Sequence, residues 1–73
     1  MYELYDTFND RVISRHRTIK NAVRADMRLN RMIKKYHGQH SYISTQILDS
    51  CGDPIIDGHP EYDQIWEAER DLS

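Results

Sequence analysis

The sequence predicts an α+β fold: a small ββαβ domain in which one long amphipathic helix packs on a small antiparallel sheet. An acidic C-terminal tail or short helix follows. Three observations carry that expectation. Two runs of β-type composition flank a short polar break near the start. The stretch from Ile19 to Tyr36 then repeats its apolar residues with a period near 3.6, and a third β-branched run comes after it.

Taking the elements in order, Tyr2-Glu3-Leu4-Tyr5-Asp6 is aromatic-rich and partly alternating, which suits a strand. Thr7-Phe8-Asn9-Asp10 supplies turn residues, because Asn and Asp tolerate left-handed backbone and bond to their own main chain. The run Val12-Ile13-Ser14-Arg15-His16-Arg17 has a second strand's composition and completes a hairpin. Thr18 offers a hydroxyl cap to the helix that begins at Ile19. Ala22, Ala25, Leu29, Met32, Ile33 and Tyr36 share one helix face, with Ile19 at its margin. Gly38 stands where a left-handed C-terminal cap belongs, after Lys34, Lys35 and His37.

Ser41 to Leu48 reads as the third strand, and Asp49 to Pro54 as a turn with Gly52 and Pro54 as breakers. Ile55-Ile56 suggests one further short strand. From Pro60 the chain is acidic. Pro60 fits the first position of a helix, with Glu61 and Asp63 at its positive end and Tyr62, Ile65, Trp66 and Leu72 on one face; a mobile tail is the plainer reading. Residues 1–56 are thus expected to form the compact domain and residues 57–73 the acidic end.

A chain of 73 residues buries roughly 60% of its unfolded surface, so the core is small. The single Cys51 excludes an internal disulfide and fits a reducing compartment. No run of about 18 apolar residues and no signal peptide is present. The expectation is a cytoplasmic monomer with no membrane contact.

Charge is the informative part. The net charge is only −2, yet nine of the ten Lys and Arg lie between Arg11 and Lys35, and residues 49–73 hold eight acids against Arg70. Lys20, Arg24, Arg28, Arg31 and Lys35 recur at spacings of four, four, three and four, on an arc opposite the apolar stripe. A charge run on a helix is ordinarily a solvated face. Such faces usually mix signs, however, and four like-charge neighbours cost on the order of 1–2 kcal/mol in a domain with little stability to spare. A polyanion or an acidic protein surface would relieve that cost. The candidate partner-binding residues are therefore Arg15, Arg17, Lys20, Arg24, Arg28, Arg31 and Lys35. Tyr2, Tyr5, Phe8 and Trp66 are candidate aromatic contacts, although the first three equally suit packing within the hairpin. The acidic end could fold back over the basic helix or occupy a basic groove.

Catalytic chemistry finds little support. There is no Gly-rich phosphate loop and no paired-carboxylate or hydrolase motif, so an enzyme is not expected. His37, His40, Cys51 and His59 are zinc-type ligands without a recognised spacing, and Asp49, Asp53 and Asp57 lack calcium-loop positions. No metal and no cofactor is expected.

With the hairpin, basic helix and acidic end in view, the chain resembles the very small host-takeover regulators that bacteriophages encode, among them an early regulator of a Xanthomonas phage. The resemblance rests on length, on general character and on Tyr2-Glu3-Leu4-Tyr5-Asp6-Thr7-Phe8-Asn9-Asp10-Arg11-Val12-Ile13. It implies a transcription regulator that binds the two large catalytic subunits of host bacterial RNA polymerase. Such a regulator displaces the σ factor, inhibits initiation and promotes antitermination. The resemblance brings no residue-level motif, so the site residues remain those of the charge pattern. The alternative function is a small DNA-binding module that uses the basic helix face for phosphate contacts.

Overall fold

The computed structural model describes residues 1–37 and 44–73, the side chains of residues 34–37 excepted. It has the expected α+β architecture. Strands β1 (Tyr2–Asp6), β2 (Arg11–His16) and β3 (Thr45–Leu48) form an antiparallel sheet in the order β2-β1-β3, and helices α1 (Ile19–His37) and α2 (Tyr62–Leu72) complete the fold.

The hairpin forms where the polar break stands. Asp6 is buried and organises the turn. Its Oδ1 accepts the N–H groups of Phe8 and Asn9, and its Oδ2 accepts the Asn9 side-chain amide at 2.8 Å. Asp10 takes the left-handed conformation (φ 56°) that Asp tolerates better than most residues. Between Leu4 and Tyr5 the register slips by one, leaving Ile13 as an extra residue in β2; such bulges bend and twist the outer strand.

Thr18 caps α1, its Oγ1 accepting the Asn21 N–H at 3.1 Å. The face α1 buries differs from the expected stripe. Ile19, Ala22 and Val23 lie in the core with Leu4, Ile47, Ile55 and Ala68, while Met32 is half exposed. Two surfaces explain the rotation: α1 packs on the sheet along one side and on α2 along the other, so its apolar arc is wider than the sheet alone requires. Ile19 moves from the margin to the centre, and Val23, which the stripe omitted, becomes one of the largest fully buried side chains.

Strand β3 is described from Thr45; the expected positions 41–43, and the Gly38 cap, lie outside the described residues. Ile55-Ile56 makes no strand of its own. Leu48 and Pro54 form an isolated bridge, and the Ile55 N–H bonds to the Ile47 carbonyl at 2.8 Å before the chain turns away. Gly52 (φ 86°) makes the intervening turn possible, since a side chain there would be strained.

The acidic end is a helix rather than a tail. It starts at Tyr62, two residues later than Pro60 suggested, with Glu61 at the N-cap and Asp63 in its first turn. Ala68 is 4% exposed and joins the common core, with Ile65 and Leu72 packed against it. The core therefore continues past residue 56 into α2. Trp66, expected to share a face with Tyr62, Ile65 and Leu72, is 55% exposed and meets the Tyr62 ring edge-on at 6.2 Å. Among the described residues no helix is long and apolar enough to cross a membrane.

Candidate interaction surfaces

Helix geometry sets out the basic row. Lys20, Arg24, Arg28 and Arg31 are all exposed, and from Lys20 to Arg31 the helix rises roughly 16 Å. Lys35 belongs to the same helix, and its side chain lies outside the described residues. Docking of α2 changes this row at one end only. Lys20 Nζ comes within 3.8 Å of Asp71 Oδ2, a long contact between exposed groups, whereas Arg24, Arg28 and Arg31 have no ion-pair partner among the described residues. Arg24, Arg28 and Arg31 share a shallow hollow with Met27 and Leu72, the last residue of α2. The acidic end thus folds back beside α1 through apolar contacts and leaves the arginines open.

The other predicted residues do not gather around that row. Arg15 lies across from Glu3 in the hairpin, and its Nε donates to Glu3 Oε2 at 2.9 Å. Arg17 is exposed at the β2–α1 junction. Alternation along β1 puts Tyr5 on the sheet face away from the helices, half-buried, with Val12 and Gln46 as its cross-strand neighbours. Phe8, 87% exposed, stands at the hairpin tip. Tyr2 points inward and donates its hydroxyl to Glu61 Oε2. The three N-terminal aromatics therefore form no single aromatic–basic patch: period-2 alternation separates Tyr2 from Tyr5, and the turn carries Phe8 away from both.

Sequence spacing gave no signal for a second cluster. Asp49, His59 and Glu61 place potential ligand atoms within 4.8 Å of one another. The hydrogen bonds decide what this group does. His59 Nδ1 accepts the Glu61 backbone N–H at 3.0 Å, so the neutral ring carries its proton on Nε2 and donates to Asp49 Oδ2 at 2.7 Å. An Nε2–H has no lone pair for a cation, and the cluster works as a clasp. Asp49 Oδ1 also accepts the N–H groups of Cys51 and Asp53 at 2.9 Å. The bond from His59, then the Asp53 and Cys51 amides, hold the Asp49 carboxyl below the usual carboxylate range. Glu61 in turn pushes the Tyr2 hydroxyl up, chiefly because the hydrogen bond to its carboxylate would be lost on ionisation. The chain 49–61 is thereby tied to β1 at the point where α2 starts. The Cys51 side chain is exposed and takes no part; the His37 side chain and His40 lie outside the described residues.

Asp26 makes a comparable tie on α1. Its Oδ1 accepts the Thr45 hydroxyl at 2.6 Å, fixing the start of β3 against the helix. The remaining feature is a groove between α2 and the β3 edge, bordered by Ile56 and Trp66. No residue here was marked by a motif except Trp66. Comparison with protein-family models, with curated proteins and with solved structures found no match to this chain.

Proposed function

We propose that this chain is a non-enzymatic regulator of transcription that binds host bacterial RNA polymerase by protein–protein contact. The choice of polymerase rests on the resemblance to small phage-encoded regulators. The observation that supports a charged protein partner is the open row of Arg24, Arg28 and Arg31 beside an acidic helix. Glu67 and Asp71 of α2 border the same hollow as Lys20, the first residue of that row, so acids and a base share one surface there. A surface of two signs fits a protein surface of two signs. A DNA duplex carries only negative charge, and the acids of α2 would repel the phosphates that the arginines attract.

In the proposed mechanism the basic helix and hairpin occupy a surface of the large catalytic subunits that the σ factor also needs. Displacement requires that the two complexes be mutually exclusive, and tight binding alone achieves nothing. Inhibition of initiation follows from σ loss. A regulator that stays on the elongating enzyme also alters its response to terminators. The test is a pull-down of polymerase holoenzyme on the immobilised chain, followed by assay for σ. Polymerase core should be retained and σ released; holoenzyme that keeps σ in saturating protein would end this reading. A gel-shift series over salt concentration checks the DNA alternative. Five phosphate contacts would give a log–log slope near −4.5, and absence of any shift at low salt removes it.

A further inference from the structure

Helix α2 and the edge of β3 leave a groove between them that the polymerase reading does not use. Its floor and walls are Val23, Ile47, Ile55, Ile56, Ile65 and Trp66, and it encloses about 300 Å³. Past Trp66 it meets a second hollow of about 460 Å³ beside Met27, and Trp66 and Glu69 line both. Both hollows are open to solvent, so they offer a surface on which a partner's side chain can seat rather than a closed cavity. Trp66 and Ile56 are 55% and 49% exposed and both line the groove, so two large apolar groups remain uncovered at one place.

Charge states what should cover it. The first hollow is edged by Asp26 and Glu69 and has no cationic side chain among the described residues that line it; Arg70 contributes to the far hollow. The exposed charges of α2 beyond the groove are Asp63, Glu67 and Asp71. Two acids, Asp26 and Glu69, beside an aromatic and aliphatic floor complement a segment with the opposite pattern. We propose that this groove binds a cationic amphipathic segment of a partner protein. A large apolar side chain of the partner seats between Ile56 and Trp66, and lysine or arginine beside it meets Asp26 and Glu69. The first hollow shares no lining residue with the arginine hollow, so the two surfaces can take partner elements of opposite charge.

Trp66 is the only tryptophan and reports on the groove directly. The probe is a synthetic amphipathic peptide with leucines on one face and lysines on the other, compared with its glutamate counterpart. At low salt the lysine peptide should blue-shift Trp66 emission saturably, and the glutamate peptide should leave it unchanged even if it binds the arginine row. Ile56→Asp and Glu69→Lys both retain the reporter and alter exposed positions, and each should weaken the lysine peptide about tenfold or more while far-UV circular dichroism stays the same. No Trp66 response to the lysine peptide, an equal response to the glutamate peptide, or undiminished binding in both variants would each overturn the proposal. An emission shift that follows protein concentration alone would also overturn it, because a second copy of the chain would then be the occupant. None of these results depends on whether polymerase is bound.

Discussion

The most exacting prediction concerns Asp49→Asn. The substitution keeps the shape of the side chain and keeps Oδ1, so the bonds from the Cys51 and Asp53 amides survive. It replaces Oδ2 with an NH2 group that points at His59 Nε2–H, 2.7 Å away in the native chain. Two donors then face each other. If the imidazole changes tautomer to accept from the new amide, its Nδ1–H instead confronts the Glu61 N–H that it accepts at present. Neither arrangement satisfies both ends. The His59 and Asp49 side chains are only 12% and 14% exposed, so water relieves the mismatch poorly. One unpaired, largely buried donor costs about 1–3 kcal/mol. In a domain of this length each kcal/mol moves Tm by roughly 4–8 °C, so a loss near the middle of that range lowers Tm by about 8–16 °C.

Thermal unfolding followed by circular dichroism gives the measurement. His59→Ala should lose a comparable amount, and the double variant little more than either single one, because both changes remove the same bond. Acid sensitivity supplies a second readout with a definite sign. The folded Asp49 carboxyl titrates below its unfolded value of about 3.9, so its contribution is complete above that pH and is lost as pH falls through the folded pKa. Asp49→Asn should therefore unfold with a shallower acid dependence. The part due to Asp6 should remain, since the Asn9 amide and the Asn9 and Phe8 N–H groups still hold its carboxyl low. A Tm within about 2 °C of the native chain, or additive losses in the double variant, would refute the clasp.

Three further outcomes follow from the same geometry. Replacing Arg24, Arg28 and Arg31 together with Ala should leave Tm unchanged or slightly raised, because like-charge neighbours at helical spacing oppose one another by about 0.2–0.5 kcal/mol per pair; polymerase retention in the pull-down should nevertheless fall. Ala68→Glu buries a carboxylate in the core between α1 and α2 and should cost several kcal/mol, whereas Lys20→Ala at the exposed 3.8 Å contact should cost under about 0.5, both read by chemical denaturation. In an ultraviolet titration of the tyrosines Tyr2 should ionise later than an ordinary phenol, and Glu61→Gln or Tyr2→Phe should remove that late component.

Local chemistry made much of the fold legible. Turn residues between two β-type runs gave the hairpin, and the Thr18 hydroxyl gave the start of α1. Those signals lie within a few residues of one another. What the sequence did not disclose depends on residues distant in the chain. The rotation of α1 toward Val23 requires α2 beside it, and α2 docks through Ala68, a side chain too small to mark a hydrophobic face. The clasp joins Asp49 to His59 across two turns, and no fixed spacing announces it. The exposed arginine row was legible because i, i+4 spacing alone defines it. The groove was not, because its two walls meet only after β3 and α2 are in place.

Docking of α2 also narrows what the charge asymmetry can mean. A basic middle and an acidic end on separate regions would act at long range, each drawing an oppositely charged partner alone. Here the apolar contacts of Ala68, Ile65 and Leu72 hold α2 against α1, yet among the described residues of α1 Lys20 alone approaches an acid of α2 and the central arginines have no ion-pair partner. Had the helices associated by charge, the arginines would be the first groups to pair. Among the described residues they do not, so apolar burial rather than ion pairing sets the arrangement. Opposite charges held this close largely cancel beyond a Debye length, about 8 Å at physiological salt, so the far field is weak and long-range steering is modest. At contact distance the pattern stays sharp. For the proposed regulator, such a surface would select a partner by matching signs position by position, a criterion that a protein surface can meet and a uniform polyanion cannot.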